Sequence, residues 1–135
     1  MTKKWVTQLG YGIVGCAIEV HRHLGPGLLE EVYEFCLLEE LMAEGYEFKH
    51  QARMPIPYKG RTLDKRFRMD LLVEDTVIVE LKALETVLPV HKAQLLTYMK
   101  LAQKPKGILI NFFTDNISQS AIHLVNEYYA LLPDE

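Results

Sequence analysis

The sequence has no apolar run approaching the roughly 20 residues of a membrane span. Its first ten residues, MTKKWVTQLG, carry two lysines with no continuous apolar segment behind them. A membrane partner and a secretory signal are therefore not expected, and a cytoplasmic location is. Cysteine is scarce. Cys16 and Cys36 are the only two, and both lie in apolar, helix-like surroundings, so they read as reduced core thiols and not as a disulfide framework. Positive charge is not in excess. The net charge is −3, which excludes a general attraction to nucleic acid and leaves any phosphate binding to a local patch. Repeats, low-complexity segments and linkers are absent. The 135 residues are expected to form a single domain, 1–135, with a core of its own.

Hydrophobic periodicity divides the chain. Val6, Leu9, Ile13, Ala17, Val20 and Leu24 recur at helical spacing. The GPG at residues 25–27 stops this helix and starts a second over residues 28–44. Leu29, Val32, Tyr33, Cys36, Leu37 and Leu41 are its expected inner face, and Gly45 its C-terminal stop. The period then changes to that of strands. YEFKHQARMPIPYKG is strand-like, and Pro55 and Pro57 favour an edge. RTLDKRFRMDLLVED and TVIVELKAL flank a turn near Asp75 and read as a hairpin. Pro89 suits the first turn of a third helix reaching Ala102, and KGILINFF is a short buried strand. The tail ISQSAIHLVNEYYALL reads as a final strand near residues 121–125 or as a helix, with the strand the preferred reading. The fold class expected is α/β, a mixed sheet with helices on its faces.

One strand is chemically unusual. VIVELKA begins as a buried strand and then places Glu80 and Lys82 two apart, on one face. With Glu74 to Thr76 as the turn, Val73 pairs with Val77, Leu71 with Val79 and Asp70 with Glu80. Opposed side chains lie about 4.5–5.5 Å apart at Cβ, so two carboxylates and an amine meet at one end of the hairpin. Like charges that close call for a cation, and a hard divalent ion with oxygen ligands suits them. The plainer alternative is a surface ion pair worth less than about 1 kcal/mol.

Other residues bear on this site. Gln94 and Tyr98 are four apart on the helix after the ELK strand and share a face. Glu30 lies three residues before Tyr33, where a carboxylate also favours a helix N-terminus. The basic set Lys59, Arg61, Lys65, Arg66 and Arg68 precedes Asp70. It is a solvated edge or a phosphate-tracking patch, with Arg68 and Arg66 the candidate substrate contacts. His21 and His23 are two apart, which does not put them on one helix face, and no third ligand has zinc spacing. Asn111 ends a buried strand and is expected to satisfy backbone groups.

GPGLLEEVYE, RMDLLVEDTVIVELKA and QLLTYMKLA with GILINF, taken together and in this order, resemble the GxxExxY protein family, which is assigned to the PD-(D/E)XK nuclease-like superfamily. The name motif falls on Gly27, Glu30 and Tyr33. The resemblance implies a restriction-endonuclease-like αβββαβ core and a Mg²⁺- or Mn²⁺-dependent phosphodiesterase acting on DNA. It implies Asp70, Glu80 and the Leu81 carbonyl as metal ligands and Lys82 as the catalytic lysine. Glu30 would position metal or water, and Gln94 and Tyr98 would match a QxxxY element. Met69 stands where the superfamily's name has Pro. The alternative is a non-catalytic nucleic-acid- or protein-binding module that keeps the fold. A homodimer or a protein partner is left open.

Overall fold

The computed structural model describes residues 1–63 and 67–135. Two helices come first: α1 (Lys3–Leu24) and α2 (Glu30–Ala43). β1 (Phe48–Arg53), β2 (Ile56–Tyr58), β3 (Arg61–Leu63), β4 (Arg68–Val73) and β5 (Val77–Lys82) follow. The chain continues through α3 (Pro89–Ala102), β6 (Lys106–Asn111), α4 (Ile117–Ser120), β7 (Ile122–Val125) and α5 (Glu127–Ala130). Five strands form one sheet in the order β1-β4-β5-β6-β7, with β5 and β6 parallel and the other neighbours antiparallel. Helices flank the sheet, so the architecture is the mixed α/β expected. The tail strand is β7, between two four-residue helices.

The sheet sorts its side chains by the two-residue period of a strand. Leu71, Val73, Val77, Val79, Leu81, Ile108 and Ile110 pack with α1 and α2 residues such as Ile13, Ala17, Tyr33 and Leu37. Leu72, Ile78 and Leu109 pack on the other face with Leu95, Tyr98 and Met99 of α3. β5 and β6 are buried on both faces, which explains their continuous apolar runs.

The helices bury narrower stripes than their periodicity suggests. Leu24 is exposed at the end of α1, and Leu29, at the N-cap of α2, is 68% exposed; Val32 also faces outward. The inner stripe of α2 is Tyr33, Leu37 and Leu41. Gly45 ends that helix with φ of 82°, as its sequence position implies. The PIP segment leaves the main sheet. β2 pairs with β3 in a separate two-stranded ribbon, while β1 takes the sheet edge. The two cysteines are free thiols, Cys16 buried and Cys36 half-buried. Among the described residues, no helix is long and apolar enough to cross a membrane.

The hairpin that carries Asp70 and Glu80 has the register deduced from its turn. Val73 pairs with Val77, Leu72 with Ile78 and Leu71 with Val79. Glu74 and Asp75 both have φ of 51°, and the Thr76 N–H donates to the Val73 carbonyl at 3.0 Å. Two left-handed central residues make the tight turn whose twist matches that of the flanking strands.

Gly107 fixes the height of α3 above the sheet. A Cβ there would lie 2.7 Å from Met99 Sδ and 2.9 Å from Leu95 Cγ. Gly107→Ala is expected to destabilise the fold by about 1–3 kcal/mol through overpacking. Urea unfolding should show a lower midpoint with an unchanged slope.

Candidate active site at the end of the β4–β5 hairpin

Beyond Leu71 and Val79 the backbone ladder gives way to side chains. The Asp70 N–H donates to Glu80 Oε2 at 2.8 Å, and the Leu81 N–H donates to Asp70 Oδ2 at 2.8 Å. Each carboxylate thus accepts a backbone hydrogen bond from the opposite strand, and the two strands are cross-braced by their acids. Glu80 is 7% exposed, and Lys82, two residues on, is half-buried. In an extended strand a residue's N–H and C=O leave by the same edge. Since the Leu81 N–H points to Asp70, its carbonyl points into the same gap.

Burial controls the electrostatics here. Desolvation, with the Asp70 charge next, pushes Glu80 up from 4.5 to about 8. Burial is also the main cause that raises Asp70, offset in part by the Leu81 N–H. Glu30, the first residue of α2, is raised by burial and then by the Asp70 charge. Tyr98 reaches the site from the opposite face. It is 8% exposed, and burial followed by the Glu80 charge raises its hydroxyl. The structure therefore gathers Glu30, Asp70, Glu80, Lys82 and Tyr98 around one end of the hairpin.

Two expected residues stand further out. Gln94 is exposed, one helical turn before Tyr98. Arg68 hydrogen-bonds the Phe67 carbonyl at 3.3 Å and, among the described residues, neither carboxylate. Arg66 and Lys65 lie outside the described residues. Lys59 and Arg61 belong to the β2–β3 ribbon, where Lys59 sits 5.4 Å above the Tyr58 ring. His21 donates to the Thr114 carbonyl at 2.7 Å, and His23 meets Glu19 at 2.9 Å, so neither enters the site. Asn111 braces the loop after β5, accepting from the Leu84 N–H and donating to the Leu84 carbonyl.

The GPG turn and Tyr33 hold Glu30 in place. Gly27 has φ of 102°, which favours glycine strongly. The Tyr33 hydroxyl donates to the Gly25 carbonyl and accepts from the Leu28 N–H, while its ring stacks on Phe112 at 4.3 Å. The Gly27, Glu30, Tyr33 spacing is thus a turn, a carboxylate and an anchor. Sequence reasoning missed Glu34 and the β1 residues His50 and Gln51. Glu34 Oε1 accepts from His50 Nε2 and from Gln51 Nε2, both at 2.7 Å. Glu34 was discoverable, being one turn from Glu30 on the same helix face; Gln51 had no such signal.

The donor set fits a hard divalent cation. Asp70 and Glu80 present oxygens, the Leu81 carbonyl shares their gap, and a cation would offset the burial that raises both carboxyls. Among the described residues, no group of three or more His, Cys, Asp or Glu side chains is disposed to hold a metal. Two carboxylates and a carbonyl are nonetheless enough for an ion such as Mg²⁺, which keeps several waters.

A mixed sheet in αβββαβ order, with an Asp and an ExK motif crossed at the end of its central hairpin, defines a restriction-endonuclease-like domain. The family model of the PD-(D/E)XK nuclease superfamily matches residues 7–123, and the chain belongs to that superfamily. Its nucleases generally use divalent metals. Neither curated proteins nor solved structures gave a match.

The raised carboxyl of Glu80 makes stability depend on pH. The folded state binds its proton more tightly than the unfolded chain, so metal-free stability is expected to fall as pH rises from 4.5 to about 8. Asp70 and Glu30 act with the same sign. Glu80→Gln should flatten this slope and be more stable than wild type by about 1–3 kcal/mol at pH 8. Chemical denaturation across that range in the presence of chelator measures it. A wild-type curve that rises over the same range would contradict the assignment.

Proposed function

We propose that the protein is a Mg²⁺- or Mn²⁺-dependent nuclease that hydrolyses DNA phosphodiester bonds, of the GxxExxY kind, with residues 1–135 as its single domain. The observation that carries this reading is the reciprocal bracing of Asp70 and Glu80 beside Lys82. A purely structural hairpin end has no need of a buried and a half-buried carboxylate, because backbone groups pair there without desolvating a charge. Asp70, Glu80 and the Leu81 carbonyl would hold the cation. Bound there, the cation supplies Lewis acidity toward phosphoryl oxygen and water.

The chain's own groups do the rest. Lys82 projects an ammonium from the strand end, where it orients water by hydrogen bonding and offsets negative charge developing on the phosphate. Glu30, whose carboxyl burial raises above its usual range, would exchange a proton with that water. Tyr98 offers a hydroxyl from the α3 face, and Gln94, at the solvent edge of the same helix, meets substrate as it enters. Arg68 and Arg66 would contact phosphate along the strand. The second reading is a nucleic-acid- or protein-binding module on the same fold. It is favoured by the net charge of −3.

Lys82→Ala and Glu80→Ala separate these readings. Lys82→Ala should lower DNA cleavage by about 10²–10⁴-fold while retaining Mn²⁺ binding, since an ammonium is not a ligand. Glu80→Ala should lose Mn²⁺ binding and cleavage together. Calorimetry with Mn²⁺, paired with cleavage of labelled single- and double-stranded DNA, reads both. A wild-type protein that neither binds the ion nor cuts DNA would leave the binding module standing.

A further inference from the structure

Gln51 lies within edge strand β1 and has φ of 51°. Few side chains adopt that left-handed conformation, and they do so at a cost. The residue stands opposite Asp70. The β1–β4 pairs run from Phe48 and Val73 through His50 and Leu71, and resume with Ala52 and Met69. Between them Gln51 and Asp70 face each other without a ladder pair. The facing of both strands switches at this point: Phe48 packs on the α1 and α2 side, whereas Ala52 and Met69 pack with the α3 cluster.

Packing does not account for the strained residue, because Gln51 is exposed. Its contacts do. The side-chain Nε2 donates to Glu34 Oε1 at 2.7 Å and lies 3.5 Å from Asp70 Oδ1. His50 Nε2 holds the same Glu34 oxygen at 2.7 Å. The amide is thus anchored on α2 and aimed at the Asp70 oxygen that the Leu81 N–H leaves free, since that bond goes to Oδ2.

We propose that Gln51 is a positioning residue for the metal ligand Asp70. Its left-handed backbone and its Glu34 anchor hold the amide where it fixes the orientation of the Asp70 carboxylate. The inference rests on the nuclease reading, in which Asp70 is a ligand. Hydrogen bonds to ligating groups orient them, and losing such a partner typically weakens metal binding about 10–100-fold.

Glycine and alanine at this position separate backbone from amide. Gln51→Gly deletes the amide and accepts a positive φ without strain. Its metal-free melting temperature should rise by a few degrees as the strain is relieved, while its Mn²⁺ affinity by calorimetry falls about 10–100-fold. Gln51→Ala should show the same loss of affinity and melt below Gln51→Gly. The Mn²⁺ electron paramagnetic resonance spectrum should change in both variants. A residue that merely held the strand would give the reverse, a lower melting temperature with unchanged Mn²⁺ binding. Wild-type Mn²⁺ affinity in Gln51→Gly overturns this inference and leaves the nuclease reading intact. A wild-type protein that binds no Mn²⁺ overturns both.

Discussion

The candidate site depends on the exchange between Asp70 and Glu80 at the point where the β4–β5 ladder stops. Two strands that would otherwise continue pairing are held by carboxylates accepting N–H groups across the gap. This arrangement does two things at once. It closes the hairpin end without backbone pairing, and it fixes a buried and a half-buried acid in a geometry that repulsion alone would scatter. The desolvation that raises Glu80 to about 8 is the cost of this placement. The apolar sheet on either side of the hairpin supplies the stability to hold it.

Both layers of helix are placed by that same sheet. On one face, Tyr33 stacks on Phe112 and hydrogen-bonds the GPG turn, so Glu30 enters from the first turn of α2. On the other, Gly107 lets α3 sit close enough for Tyr98 to reach the acids. The carboxylates lie at a splayed strand end, so they are open to both layers. Groups that are distant in sequence and on opposite faces can therefore act on one position.

How much of this was legible follows from the physics of each element. The hairpin register could be counted outward from the turn because strand pairing is one-to-one, and the Asp70–Glu80 opposition followed from it. β5 and β6 were legible as buried runs, and the order of two helices, three strands, a helix and a strand followed from changes of period. The exposed Leu24, Leu29 and Val32 were not, because periodicity assigns a face without saying how wide the covered stripe is. The β2–β3 ribbon was hidden because PIP signals an edge without saying which sheet it edges. Gln51 was hidden because nothing in its side chain announces a left-handed backbone. Its contacts to Glu34 and Asp70 become visible only once α2 and β4 are in place.

The tight turn between Val73 and Val77 has a kinetic consequence. Asp70 and Glu80 are ten residues apart in the chain, so bringing them together closes only a short loop and costs little entropy. A hairpin of this kind forms in about 1–10 μs. Glu30 and Tyr98, by contrast, reach the same place only through long-range packing of α2 and α3, which is paid for later in folding. The acidic pair can therefore meet before the apolar layers that desolvate it have closed. During that interval its charges are still shielded by water, so the repulsion between them is weakest as they meet.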